Sequence, residues 1–393
     1  MNTSDPRDVG LDPERLAWLT QAVQRDVETG QYSGAVVCVA RRGKTVLHEA
    51  IGMSDRRAGR AAKVTDVFPI MSLSKSLFAA CLLGYFERGV IRLTTPVCEV
   101  IPEFAAGGKR RTTIAQVLSH TGGLPPVPPI PQERWGNLEE VVAALCKLPI
   151  VAQPAQIVSY SGFAAYSIVG EIIRRLDSRK RALRQIMSDD LFQPLGMTST
   201  SVGQDEKLEA RRVPVVMTDT SEGRFTPDFA ENLNKILRPG AELPPAGCYG
   251  TASDYLRFAQ MLARGGELDG KRMLSPLTIR LATSNVTGSL PNPSWAMYRE
   301  LHGWDEVPAS LGLGFYLRGS GGIHPSYFGT LNSPGTFGHP GLGSCMYWVD
   351  PEAEMTFVML SAGVLEESRS MVRFQRLGDI ALSSVVDVPI LAH

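Results

Sequence analysis

Ser72 stands three residues before Lys75, where an apolar segment of the chain begins. In a helix that starts near Ser72, residues three apart share one face, so Ser72 Oγ and Lys75 Nζ can meet. A serine hydroxyl does not ionise at neutral pH, and a lysine whose pKa is lowered by burial can be the base that it needs. The helix amino terminus also offers free N–H groups to a developing oxyanion. The spacing therefore predicts acyl-transfer chemistry, although Ser-x-x-Lys also arises by chance in chains of this length.

The composition predicts a soluble globular protein with a large core, because 44% of the 393 residues are hydrophobic and 20% are charged. Lys and Arg number 40, and so do Asp and Glu. The net charge is therefore zero, and the protein has no overall positive charge to attract nucleic acid or an anionic membrane. Neither is an expected partner. A small neutral or modestly charged substrate is expected, and a homo-oligomer is compatible with the composition.

Metal and disulfide chemistry is not expected. The cysteines are scattered without a C-x-x-C pair, mostly in apolar runs, at positions Cys38, Cys81, Cys98, Cys146, Cys248 and Cys345. No Gly-rich phosphate loop or metal-spaced His/Asp cluster is evident, so no cofactor is expected. The first residues contain no apolar leader region, which predicts a cytoplasmic protein unless a leader was removed.

Hydrophobic periodicity predicts an α+β fold in which both chain ends contribute strands to one antiparallel sheet flanked by helices. A helix is expected over Leu11–Thr29 and a hairpin over Gly34–Ala40 and Thr45–Ala50. Further strands are expected at Gly312–Leu317, Gly343–Val349 and Met355–Ser361, before a final helix over Glu366–Leu382. We expect residues 1–393 to form one domain, with a sheet-containing lobe over about 1–70 and 240–393 and a mostly helical lobe over about 71–239. Two loops, Pro125–Pro131 and residues 285–310 with Trp295 and Trp304, could wall an apolar pocket.

Several segments in the same order resemble those of the serine β-lactamase and penicillin-binding-protein superfamily, particularly its class C-like esterase branch (family VIII carboxylesterases). They are Phe68–Lys75, Val117–Leu124, Ser159–Gly162, Leu191–Met197, Gly250–Phe258 and Gly338–Gly343. The resemblance spans most of residues 10–380, and this collinearity is more specific than any one segment.

The resemblance implies that Ser72 is the nucleophile, that Lys75 helps to remove its proton and that Tyr160 is the partner acid/base. The backbone N–H groups of Ser72 and Leu342 would form the oxyanion hole. His339 and Gly341 would line the site on an edge strand, where Gly341 leaves room for substrate and His339 positions it.

Two departures from the family pattern favour neutral esters. Gly162 stands where β-lactamases have Asn, and His339 replaces the Lys of Lys-Thr-Gly, which would hold a substrate carboxylate. The sequence thus predicts a metal-free serine hydrolase of small to medium neutral carboxylic esters, with Gly162, Trp295 and Trp304 at the substrate. An amidase, an amide-oligomer hydrolase or an acyltransferase would use the same residues. A binding protein without activity is the remaining alternative, and retention of the Ser, Lys and Tyr together argues against it.

Overall fold

The structure, a computed structural model, describes residues 2–223, 225–306, 308–320 and 323–387. Its α-helices are α1 (Pro13–Glu28), α2 (Ser74–Glu87), α3 (Ile114–Leu118), α4 (Leu138–Lys147), α5 (Ala164–Leu176), α6 (Leu183–Met187), α7 (Pro227–Ile236), α8 (Ala252–Ala263), α9 (Pro276–Ala282), α10 (Ala296–His302) and α11 (Glu367–Leu382). Its strands are β1 (Gly34–Arg41), β2 (Lys44–Asp55), β3 (Arg60–Ala61), β4 (Phe68–Pro69), β5 (Ser201–Val202), β6 (Cys248–Gly250), β7 (Glu267–Leu268), β8 (Lys271–Arg272), β9 (Tyr316–Leu317), β10 (Phe337–Gly341), β11 (Cys345–Asp350) and β12 (Met355–Ala362).

The main sheet joins the two ends of the chain. Its strand order is β3-β2-β1-β12-β11-β10-β9, and neighbouring strands are antiparallel. β1 pairs with β12 along its whole length, from Gly34 opposite Ala362 to Arg41 opposite Met355. The α+β prediction with an antiparallel sheet built from both termini is confirmed.

Alternation along the strands separates two cores. Ala35, Val37 and Val39 of β1 belong to an apolar cluster shared with α1 and α11. Val36, Cys38 and Ala40 face the other side and belong to the larger cluster that contains α2, α5 and α8. Because strand side chains point alternately to opposite faces, one strand feeds both cores.

The segment between β4 and β6 is mostly helical and holds α2 to α7. β4 and β6 pair with each other, Phe68 opposite Gly250, so the segment leaves and rejoins the rest of the chain at one place. The lobe limits near residues 70 and 240 stay a prediction.

The predicted strand over Gly312–Leu317 is shorter than expected, because only Tyr316–Leu317 pairs as β9. Gly314 has a φ of +97° and lies too close to α2 for a continuous strand. All six cysteines are free thiols, and five of them are buried. Among the described residues, no helix is both long and apolar enough to span a bilayer.

Candidate active site

Ser72 and Lys75 meet at the start of the central helix, as their spacing predicts. Ser72 lies in a single 3₁₀ turn, Met71–Leu73, and α2 begins two residues later at Ser74. Met71, directly before the serine, has a φ of +50°, an uncommon backbone conformation for a residue with a side chain. Lys75 Nζ lies 2.9 Å from Ser72 Oγ, within hydrogen-bond distance.

Burial changes the acid–base character of Lys75. Its side chain is 1% exposed, and Nζ donates a hydrogen bond to the Pro245 carbonyl oxygen at 2.8 Å. Desolvation lowers its pKa from 10.5 to about 7, while the carboxylate of Glu367 acts in the opposite direction. A substantial fraction of Lys75 is therefore neutral at pH 7 and able to accept a proton.

Tyr160 reaches the same place from a turn ahead of α5. The Tyr160 N–H donates to Ser294 Oγ at 3.2 Å, and its carbonyl oxygen accepts from the Gly162 N–H at 2.9 Å. Lys75 Nζ lies 5.3 Å from the centre of the Tyr160 ring. A side chain at Gly162 would come within 3.2 Å of that ring, so a glycine there leaves the phenol unobstructed.

His120 supports Tyr160, and the sequence did not single it out beyond its place in a matching segment. The two rings lie 4.5 Å apart, and His120 Nδ1 is 3.2 Å from Ser161 Oγ. His120 has a φ of +57°, and its carbonyl oxygen accepts from the Ser159 N–H at 3.0 Å. Burial holds the pKa of His120 well below 6.5, with a further lowering by Lys75, so the imidazole is neutral at pH 7.

The turn between β10 and β11 contains Leu342, which the sequence proposed to form the oxyanion hole with Ser72. Both residues line one cavity, and Leu342 has a φ of +31°. A Cβ on Gly341 would lie 2.9 Å from the Leu73 side chain and 3.0 Å from the Ile70 carbonyl oxygen. Gly341 therefore allows close packing of β10 on the Ser72 turn, and its role in leaving room for substrate stays a prediction.

The cavity that holds Ser72 has a volume of about 440 Å³ and mostly apolar walls. Its lining includes Met71, Ser72, Lys75, Pro126, Val127, Ser159, Tyr160, Gly162, Phe163, Leu233, Ala246, Pro293, Ser294, Trp295, Tyr316, Tyr327, Pro340, Leu342 and Glu367. Both loops that the sequence proposed as walls contribute residues to it, and Gly162 and Trp295 lie in its lining.

Two residues that the sequence proposed to contact substrate do not line this cavity. Trp304 stacks on His302 at 4.7 Å and lines a separate depression with Asp26 and Arg376, because the chain turns away at Gly303 after α10. His339 is 2% exposed and packs its ring edge-on against Tyr316 at 5.0 Å, next to the cavity wall rather than in it. Burial lowers the pKa of His339 to about 3, so it carries no charge at pH 7.

Glu367, the first residue of α11, lines the cavity although the sequence gave no reason to select it. Among the described residues, no group of three or more His, Cys, Asp or Glu is placed to hold a metal ion.

Comparison with known proteins identifies relatives of this chain in sequence and in fold. The β-lactamase family profile matches residues 19–381. The chain belongs to the β-lactamase family. This β-lactamase-family protein is 32% identical over 293 residues to penicillin-binding protein 4 of Amycolatopsis lactamdurans, covering 69% of this chain and 74% of that protein. It is 27% identical over 377 residues to esterase EstB of Burkholderia gladioli, covering 85% of this chain and 89% of EstB.

A solved family VIII carboxylesterase superposes with a TM-score of 0.73 at 21% identity, covering 93% of this chain and 98% of the other. The superfamily recognised in the sequence is confirmed by the family match, and its relatives include esterases. Family membership and esterase relatives support a serine hydrolase.

Proposed function

We propose that this protein hydrolyses carboxylic esters through an acyl-enzyme on Ser72. The observation that carries the proposal is the 2.9 Å approach of Lys75 Nζ to Ser72 Oγ, in a buried place where the lysine pKa falls to about 7. A neutral amine beside a serine hydroxyl can accept its proton as the oxygen attacks a carbonyl carbon.

Proton transfer in both half-reactions is assigned to Lys75 and Tyr160. In acylation, Ser72 Oγ forms a bond to the acyl carbon, the ester C–O bond breaks, and the serine proton passes through Lys75 and Tyr160 to the departing alkoxide. In deacylation a water replaces the alcohol, the same groups take its proton, and Ser72 recovers its own. The backbone N–H groups of Ser72 and Leu342 would stabilise the oxyanion in each step.

The proposed substrates are small to medium esters without a carboxylate beside the scissile bond. Lys75 is the basic side chain in the cavity lining, and its hydrogen bonds go to Ser72 and Pro245. His339, which by resemblance replaces the Lys of Lys-Thr-Gly, is neutral, so it supplies no permanent cation for such a carboxylate. Relatives named as esterases are in keeping with this choice.

A fluorophosphonate probe tests the nucleophile directly. We expect intact-mass analysis to show one adduct on the wild-type protein and none on Ser72→Ala, which should also lose burst release of p-nitrophenol from p-nitrophenyl butyrate. Ser159→Ala is the control, since Ser159 lines the same cavity but is not the proposed nucleophile, and it should still be labelled. Burst release by folded Ser72→Ala would refute the assignment.

A panel of matched esters, amides, lactams and acceptor alcohols then ranks the alternatives. Faster amide than ester turnover would identify an amidase. Product esters formed in preference to free acid would identify an acyltransferase.

A further inference from the structure

Glu367 gives the cavity of Ser72 an acidic side chain. Among the described residues that line it, the charged groups are Lys75 and Glu367. Glu367 is half-buried at the first position of α11, where the helix dipole favours negative charge. Its negative charge raises the pKa of Lys75, against the larger lowering by burial.

The balance of charge in this cavity is therefore negative or near zero at neutral pH. Lys75, with a pKa of about 7, is only partly protonated there. His120 and His339, the imidazoles beside the wall, are neutral because burial lowers both pKa values. An anionic substrate would be repelled by Glu367, and a cationic one would be attracted.

Aromatic rings make up the wall on the side of α11. The ring centres of Trp295 and Tyr327 are 5.8 Å apart, and those of Tyr316 and Tyr327 are 6.5 Å apart. Met371, one turn along α11 from Glu367, lines a smaller cavity with the same three rings, so this helix packs directly against them. Three aromatic rings and one carboxylate thus line the same cavity, and these are the groups from which ammonium-binding sites are built.

We propose that the preferred substrates are esters that carry an ammonium group, bound by the Glu367 carboxylate and the ring faces of Trp295, Tyr316 and Tyr327. This inference rests on the proposed ester hydrolysis and narrows its substrate class. A carboxylate has two oxygens and about four acceptor positions, so Glu367 can bind an ammonium group while it also accepts hydrogen bonds from the protein.

A pair of esters with equal shape and different charge tests the inference. Butyrylthiocholine and its neutral analogue 3,3-dimethylbutyl thiobutyrate release thiols that can be followed in the same assay. In the wild-type protein we expect kcat/KM to be about 10-fold higher for the cationic ester. In Glu367→Gln the ratio should fall to about one to two, because the carboxylate is replaced by a neutral amide of equal size.

Glu231→Gln is the matched control. Glu231 lies exposed on α7, which also contributes Leu233 to the cavity, and pairs with Lys235 rather than lining it. Glu231→Gln removes the same charge from the molecule as Glu367→Gln, and its ratio of kcat/KM for the cationic and neutral esters should stay at the wild-type value. A ratio near one in the wild-type protein, or an unchanged ratio in Glu367→Gln, would overturn the inference.

A measurement on the wild-type protein alone covers the case in which Glu367→Gln does not fold. Choline should inhibit turnover of the neutral thioester competitively, and about 10-fold more strongly than 3,3-dimethylbutanol of the same shape. Equal inhibition by the two alcohols would contradict the ammonium site while leaving ester hydrolysis intact. Absence of Ser72-dependent turnover of p-nitrophenyl butyrate as well as of both thioesters would instead refute the proposed function, and this inference with it.

Discussion

Lys75 shows how burial of one side chain sets the chemistry of its neighbour. Its Nζ contacts Ser72 Oγ and the Pro245 carbonyl oxygen, and its pKa falls to about 7 through desolvation. His120 and His339 would add positive charge nearby if they were protonated, but burial keeps both neutral at pH 7. Burial therefore keeps part of the Lys75 amine unprotonated, and able to act as a base, without a second positive charge nearby to lower its pKa.

The pH dependence of kcat/KM follows from this environment. Protonated Lys75 cannot accept the serine proton, so activity on p-nitrophenyl butyrate should be low in acid and rise tenfold per pH unit up to about pH 7, then level off. Glu367 favours the charged amine, so Glu367→Gln should move this rise to lower pH. Profiles at constant ionic strength measure both effects. A shift to higher pH in Glu367→Gln would contradict the assignment of Lys75 as the base.

Among the secondary-structure elements, helix α2 is held in place by backbone segments that approach it closely. Gly314 has no side chain, which allows its close approach to α2. A Cβ there would lie 2.3 Å from the Ala79 Cβ and 3.0 Å from the Tyr166 hydroxyl. Ser76 Oγ donates to the Gly314 carbonyl oxygen at 2.9 Å, and the Tyr255 hydroxyl donates to that of Leu73 at 2.8 Å. These contacts fix the helix that carries Lys75.

Gly314→Ala should therefore damage both stability and activity. Gly314 has a φ of +97°, and its new methyl group would collide with α2, so we expect a loss of about 3 kcal/mol or more in the free energy of unfolding. Gly59→Ala separates backbone strain from collision, because Gly59 has a φ of +64° with nothing within 4 Å. That control should lose only about 1 kcal/mol and keep its kcat. Equal losses in urea unfolding of the two variants would exclude a packing role for Gly314.

At the scale of the whole molecule, the two ends of the chain fold as one unit. β1 pairs with β12, and α1 packs beside α11 on the same face of the sheet. The Asp26 carboxylate of α1 accepts from Arg376 of α11 at 2.6 Å and from the Tyr32 hydroxyl at 3.0 Å. A charge on the first helix is thus neutralised by the last one.

Arg376→Met should cost about 2 kcal/mol in the free energy of unfolding, because it leaves the buried Asp26 carboxylate without its cationic partner. Asp26→Asn in the Arg376→Met background should recover part of this loss, as a double-mutant cycle would show. Lys235→Met is the control, since the Lys235–Glu231 pair is exposed on both sides, and it should cost clearly less stability than Arg376→Met. An equal effect of Arg376→Met and Lys235→Met would show that the terminal ion pair adds no stability.

Local patterns predicted the main elements at both ends of the chain, because helix and strand periodicity needs only neighbouring residues. The hairpin of β1 and β2, the terminal helices and the meeting of Ser72 with Lys75 follow from such patterns. Glu367 could not be selected in this way, since it reaches the cavity only through the packing of α11 near the far end of the chain.

Trp304 was misplaced for a related reason. Its aromatic neighbours in residues 285–310 indicated a pocket wall, but α10 and the left-handed Gly303 direct it to the side of Asp26 and Arg376. The packing of Gly341 was not predicted either, because only the folded structure shows how closely β10 approaches Ile70 and Leu73. Both cases concern where a residue lies after the chain has folded, which composition and local sequence patterns do not encode.

The buried cysteines make the native protein resistant to thiol reagents. Burial raises the pKa of Cys81, Cys248 and Cys345 to about 12, so these thiols stay protonated and unreactive at neutral pH. Only Cys98 is partly accessible among the six. A chromogenic disulfide reagent should therefore modify the native protein slowly and at one place, Cys98. The rate at which the other five thiols then react would measure the rate of global unfolding without any added label.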